Sequence, residues 1–247
     1  MQTIPNAPRL RPFISLGVLQ NKAVTFSPAL PQWKQVGINT FDMGIYTKIF
    51  LQFDEPFWNT STQFFLYADP NQRGYYPVFQ SLDGPGFLPG SGIIFVTVVH
   101  TQSSQVEKQD DATTKAQVLA VLRHMFGAKT VPEPTAFYYP RWGQTKWAYG
   151  SYSNWPAGTS IQEHQNLRAN VDRLWFAGEA TSSDYYGFLH GAYFEGQKIG
   201  DTIAACVKGK GCPSEEHYDN PGPTMGPGEY DEANGFDVTS FQTVGFT

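Results

Sequence analysis

The run Leu174-Trp175-Phe176-Ala177-Gly178-Glu179, followed by a helical pattern that opens between Gly187 and Gly191 and continues to Val207, narrows the fold more than any other stretch of the sequence. Four apolar residues stopping at a glycine have the length of a short buried strand. Small residues at the start of the next helix let it come close to whatever lies in front of it. Strand, loop and helix in this order form the repeating unit of α/β proteins, whose ligands bind beyond the carboxyl ends of strands and beside helix N-termini. The N–H groups of such a helix start attract an anionic or electron-rich ligand. A single βα unit is more often plain packing, so the remaining segments have to decide.

Residues 15–26 read as two short strands around a turn at Asn21-Lys22, and Pro28 and Pro31 then break the pattern. Trp33 to Phe41 reads as a short helix or turn. Gly44 to Phe53 alternates, with Ile45, Thr47, Ile49 and Leu51 on one face and Tyr46, Lys48, Phe50 and Gln52 on the other, which predicts a half-buried strand. Gln63–Ala68 and Gly74–Gln80 flank Asp69-Pro70-Asn71-Gln72-Arg73 as a hairpin, and residues 84–92 form a Gly/Pro loop. Ile93 to His100 predicts a buried strand. Ser103 or Ser104 is a candidate cap for the following helix, with Glu107 as its partner. Ala112 to Phe126 has helical spacing ended by Gly127, and Ala136 to Pro140 is another short strand. Arg141 to Pro156 is dense in aromatics, and beyond Gly209 the composition predicts disorder.

With 40% hydrophobic residues, 16% charged residues and a formal net charge of -5, the chain supports a sizeable core and carries no basic cluster of the kind that binds nucleic acid. No apolar run is long enough for a membrane helix. Met1 to Arg11 lacks the apolar centre of a signal peptide, which leaves a secreted and a cytoplasmic location both open. Asn59-Thr60-Ser61 is a glycosylation triplet of a kind common by chance. The spacing of Cys206 and Cys212 allows a short disulfide or two free thiols, and makes a poor metal site.

From Arg173 to Gly196, the sequence resembles the C-terminal flavin-binding motif of flavin-containing amine oxidases, and it is closest to the polyamine oxidase type. Tyr46 to Phe53 followed by Phe57-Trp58, and Trp142, Tyr149 and the run Gly150 to Pro156, resemble further segments of the same family. The likeness covers about Ser15 to Cys212. It implies FAD as cofactor, a polyamine or other amine as substrate and O2 as oxidant, with self-association left open. It assigns Lys48 to a water beside flavin N5, and Tyr152 and Phe188 to an aromatic pair flanking the substrate. Trp142, Tyr149, Gly178, Glu179, Gly187, Phe188 and Leu189 are assigned to the flavin. Relatives more often carry Tyr at the Phe188 position, so one hydroxyl of the expected wall is replaced.

The implied fold class is α/β: a partial, Rossmann-like FAD-binding domain without its N-terminal βαβ, plus an α+β substrate-binding domain with a mixed sheet. The expected divisions are residues 1–14 unassigned, 15–34 flavin-domain segment, 35–140 substrate-binding domain, 141–208 C-terminal FAD-binding segment and 209–247 disordered tail. The sequence contains no Gly-x-Gly-x-x-Gly turn, the element that holds the diphosphate of a dinucleotide. On that ground the chain by itself is expected to bind FAD weakly and to be inactive, and the alternative expectation is a non-catalytic or regulatory product.

Overall fold

Ser15 opens the first helix of the computed structural model, which describes residues 15–219. Its hydroxyl accepts the Gly17 N–H at 3.3 Å at the head of α1 (Leu16–Gln20). Helix α2 (Gln32–Thr40) follows Pro31, and β1 (Asp42–Met43) leads into β2 (Tyr46–Gln52). Next come β3 (Phe64–Leu66), β4 (Val78–Ser81) and β5 (Ile93–Val99), then helices α3 (His100–Lys108) and α4 (Asp111–Phe126) and strand β6 (Ala136–Tyr138). Strand β7 (Ser153–Asn154) and helices α5 (Ile161–Arg168) and α6 (Leu189–Val207) complete the elements, with 3-10 turns at Trp142–Gln144 and Glu179–Thr181. The chain divides into two compact units: Gly44–Thr145, and a discontinuous unit made of the segments on either side of it.

In the continuous unit, five strands lie in the order β3-β4-β5-β2-β6. The period-2 pattern of β2 is realised: Thr47, Ile49 and Leu51 are buried, while Tyr46, Lys48 and Phe50 occupy the opposite face. Ile49 pairs with Val96 and Leu51 with Ile94, and these side chains share one apolar cluster with Val106, Val118 and Leu122 of α3 and α4. The α+β character expected here is present, but the sheet expected to be mixed is antiparallel at every pairing. The reason is topological. Helices α3 and α4 carry the chain from β5 to β6, which run in the same direction, but β2 lies between them antiparallel to both, so the crossover creates no parallel pair.

The capping reading also changes. Helix α3 starts at His100, directly after β5, with no side-chain cap. The His100 N–H is taken by Ile45 O at 2.8 Å, and Ser103 lies inside the helix. The side-chain cap belongs instead to α4, where the Asp110 carboxylate accepts the Thr113 N–H at 2.7 Å.

In the discontinuous unit, residues 16–20 are helical rather than extended. Gly17 lies so close to the backbone of Ala148 and Tyr149 that a Cβ there would collide, and the Gln20 amide donates to Ile38 O at 2.9 Å and Phe41 O at 2.6 Å. These contacts favour a compact helical turn over a strand. Leu174 to Ala177 likewise does not form the expected strand. Among the described residues its only ladder contact is a single bridge between Val171 and Leu174, and Trp175 is buried while its backbone joins no sheet. The sheet of this unit is the short β1–β7 pair, with Met43 opposite Ser153. Residues 209–219, expected to be disordered, lie against α5: the Asn166 side chain both donates to Tyr218 O and accepts its N–H, each at 2.8 Å. The backbone groups of this segment thus find side-chain partners that composition does not reveal. Residues 1–14, left unassigned above, and residues 220–247, expected to be disordered, lie outside the described residues.

Candidate functional site

The centre of the segment from Arg173 to Gly196 is a carboxylate clamp. Glu179 opens a 3-10 turn after Gly178, and its Oε1 accepts the Ser153 N–H at 3.0 Å. Its Oε2 accepts the Ser153 hydroxyl at 2.6 Å and the Gly187 N–H at 2.7 Å. Three of the roughly four acceptor positions of a carboxylate are therefore filled by the protein, two of them by backbone amides, whose bonds to a charged acceptor are about twice as strong as neutral ones. The clamp fixes β7 to the loop that leads into α6. Gly187 has φ +77°, a left-handed conformation, and a Cβ there would sit 3.4 Å from the Tyr152 ring. Glycine satisfies both conditions at once.

This arrangement presents Tyr152, Phe188 and Leu189 outward. Phe188 is 60% and Leu189 90% exposed, and Tyr152 is exposed as well. Helix α6 starts at Leu189 with no side-chain cap on its first amides, and the Phe188 and His190 rings stack at 5.2 Å. At Gly178 an added Cβ would meet nothing within 4 Å, so this backbone borders open space. Tyr149 is held in a left-handed conformation, φ 55°, which large side chains adopt only when their surroundings enforce it. The Ser15 hydroxyl donates to the neighbouring Ala148 O at 2.8 Å, and Gly17 packs on Tyr149 itself.

Lys48 and Trp142 lie in the continuous unit. Lys48 projects from the face of β2 away from the helices, with its ammonium 4.9 Å from the Phe95 ring centre and 5.9 Å from that of Tyr46, a cation–π environment. Trp142 begins the 3-10 turn whose Gly143 N–H is accepted by Glu107 Oε2 at 2.9 Å. The same carboxylate accepts the Thr47 hydroxyl at 3.1 Å. One buried acid therefore ties the residue before Lys48 to the residue after Trp142. Sequence reading cast Glu107 as a capping partner and missed this role, because Thr47 and Gly143 stand far from it in the chain.

The family model of the flavin containing amine oxidoreductases matches residues 14–203. The chain belongs to this family. Among curated proteins it is similar to Polyamine oxidase 1 of Zea mays, 43% identical over 200 residues, covering 80% of this chain and 39% of the relative. It is also similar to Polyamine oxidase 7 of Oryza sativa subsp. japonica, 45% identical over 184 residues, with 74% and 38% covered. The chain thus spans about two fifths of the length of these relatives. A solved putrescine oxidase bound to putrescine superposes with a TM-score of 0.63 at 19% identity, over 78% of this chain and 42% of that one. Cyclohexylamine oxidase from Brevibacterium oxydans gives 0.62 at 20% identity, over 79% and 43%. The two structures establish a shared fold.

Two further residues of this amine oxidoreductase chain escaped sequence reading. Lys34 is fully buried and donates to three carbonyls at the end of α5, Asn166 O at 3.1 Å, Leu167 O at 2.6 Å and Ala169 O at 2.7 Å, under the Phe176 ring at 3.6 Å. Its three N–H donors meet the C-terminal end of a helix dipole. Burial pushes its pKa well below the ordinary lysine value, and the charge of Glu215 opposes that shift. His164 is also buried, and donates from Nε2 to Ala180 O at 3.0 Å. Burial lowers its pKa to about 3, so it is neutral at physiological pH. Both hold the unit that carries the Glu179 clamp. A lysine or histidine in a polar segment gives no sequence signal for this, since the partners are other residues' backbone carbonyls.

Proposed function

We propose that this chain supplies the amine-facing and flavin-ring-facing portion of an FAD-dependent oxidase of polyamines, which cleaves a C–N bond oxidatively with O2 and yields H2O2. The supporting observation is the Glu179 clamp. It organises Ser153, Gly187 and the start of α6 so that Tyr152, Phe188 and Leu189 stand outward as apolar surface beside uncapped helix amides. A flat ring edged by hydrogen-bond acceptors suits such a surface, and the open space at Gly178 admits close approach. When bound, FAD supplies the hydride acceptor and its reoxidation by O2.

The roles of the chain's own residues follow. Phe188, Leu189 and Tyr149 give the ring apolar contact, and the backbone at Gly178 and Gly187 borders it. Glu179, with three of its acceptor positions taken by Ser153 and Gly187, shapes the loop. Tyr152 and Phe188 form aromatic walls that accept an aliphatic amine and exclude water; their faces favour a cation at binding. With Phe in place of Tyr at 188, that wall offers no hydroxyl to a second substrate nitrogen. Lys48, in the role that the family resemblance gives it, holds a water by hydrogen bonding. The relatives named polyamine oxidases support the substrate class.

The test is a chimera in which residues 15–208 replace the matching part of Zea mays Polyamine oxidase 1, assayed for H2O2 on spermine, spermidine and a simple monoamine. Turnover of a polyamine in preference to the monoamine is expected, and Lys48→Met is expected to lower kcat by tenfold or more, roughly the scale of a lost positioning group in general acid–base chemistry. A chimera that holds stoichiometric flavin and oxidises no polyamine sinks the proposal. The 247-residue chain by itself is expected to retain FAD weakly, and a stoichiometric flavin absorbance would overturn that.

A further inference from the structure

We propose that Cys206 and Cys212 are a disulfide-forming pair whose oxidation latches residues 213–219 onto α5. The geometry begins at the end of α6. Past Val207 the chain turns back on itself: the Gly209 N–H donates to Cys206 O at 3.0 Å and the Lys210 N–H to Ala205 O at 3.1 Å. Gly209 and Gly211 sit at φ +75° and +88°, left-handed conformations that other residues rarely adopt. This reversal turns the chain at Cys212 back toward Cys206, and the interaction with the Cys212 thiol raises the Cys206 thiol above its ordinary pKa. Both are reduced in the structure, Cys206 half-buried and Cys212 exposed.

The segment that follows is gripped mainly through its backbone. Asn170 Oδ1 accepts the Glu215 N–H at 2.8 Å, the Gln165 amide donates to Glu216 O at 3.0 Å, and Asn166 pairs with both backbone groups of Tyr218. His217 stacks on Trp33 at 4.2 Å. This placement puts Glu215 within electrostatic reach of the buried Lys34. All of these bonds lie within the first seven residues past Cys212, so a covalent link at Cys212 restrains the whole strap where it leaves the helix.

The co-reactant is a hydroperoxide. The exposed Cys212 sulfur attacks one oxygen of H2O2, the O–O bond breaks, and Cys212 becomes a sulfenic acid as one water leaves. The Cys206 sulfur then displaces the hydroxyl, the S–S bond forms and a second water leaves, so two thiols and one H2O2 give one disulfide and two waters. H2O2 is the product of the proposed oxidase reaction, but the latch rests on the thiol geometry alone and any source of peroxide serves.

The experiment treats the purified 247-residue chain with H2O2 and then with iodoacetamide. The expected intact mass is two hydrogens lower, with neither cysteine alkylated. Trypsin cuts after Lys208 and Lys210, so the two cysteine peptides should stay joined until a reductant is added. Amide exchange at Glu215 and Tyr218 should slow by about tenfold in the oxidised chain, and Cys212→Ser, which preserves side-chain size, should abolish both effects. Oxidation of Cys212 to sulfinic acid with Cys206 still alkylatable overturns the proposal, as does a disulfide between two chains. A disulfide that forms without changing exchange at Glu215 and Tyr218 overturns the latch.

Discussion

The two units of the chain are held together by different means. Gly44–Thr145 is built on an apolar cluster in which Ile49, Leu51, Ile94, Val96, Val98 and Leu122 are essentially inaccessible to water. In the discontinuous unit the apolar cluster is small: Leu16, Ile38, Phe41, Leu167 and Ala180. Around it lie buried polar groups, Lys34, Ser153, His164 and Asn166 among them, each bonded to a named partner. Apolar packing tolerates substitution by volume, whereas a buried polar network fails when one member goes. The unit that carries the Glu179 clamp is thus the one whose geometry depends on individual bonds.

The strongest way to break this comparison is Lys34→Met, which keeps most of the stem and strands three buried carbonyls. Loss of about 3–5 kcal/mol is expected, measured by urea unfolding, with amide exchange accelerating in α5 first. A silent variant would mean that the polar unit does not rely on its polar core. Leu51→Ala is the counterpart in the sheet, with an expected cost of about 3 kcal/mol from lost burial and a residual cavity. Leu51→Met should be nearly harmless by the same assay, whereas Lys34 should admit no volume-matched replacement.

Acid sharpens the contrast. His164 has a folded pKa of about 3 against an ordinary 6.5. Between those values the unfolded chain binds a proton that the folded chain refuses, so stability falls as pH drops through that window, by about 1.4 kcal/mol for each unit of pH. Unfolding titrations on the wild type and His164→Gln should differ by that slope below pH 6.5 and run parallel above it. The smallest expected effect is Asp110→Ala, which removes the cap of α4 and should cost about 1 kcal/mol, read as a modest drop in Tm confined to the sheet unit.

The legible parts of the fold were those with a local period. The alternation from Tyr46 to Gln52, the hairpin around Asp69 to Arg73, and the helix closed by Gly127 could be read because each pattern repeats within a few residues. Leu16 and Val18 misled, since two apolar residues at spacing two fit a strand or one helical turn, and the deciding contacts come from Ile38, Phe41 and Ala148. Leu174 to Ala177 misled because a strand requires a neighbour that no local pattern can supply. At the candidate site, the glycines and aromatics were visible as a motif. The Ser153–Glu179–Gly187 bonding was not, nor were the Glu107 bridge and the Lys34 cage, whose partner for Nζ lies as far as 135 positions away.

Ser153 pairs with Met43 in the β1–β7 ladder while also bonding to Glu179, which in turn holds Gly187. The clamp is therefore assembled from four points of the polypeptide, and the earliest waits for the latest. At roughly 5–20 residues per second, a ribosome needs on the order of ten seconds to deliver the last anchor after the first. Throughout that interval the strand at Met43 has no mate, so the newborn chain must be shielded from wrong pairings until its own late segment arrives.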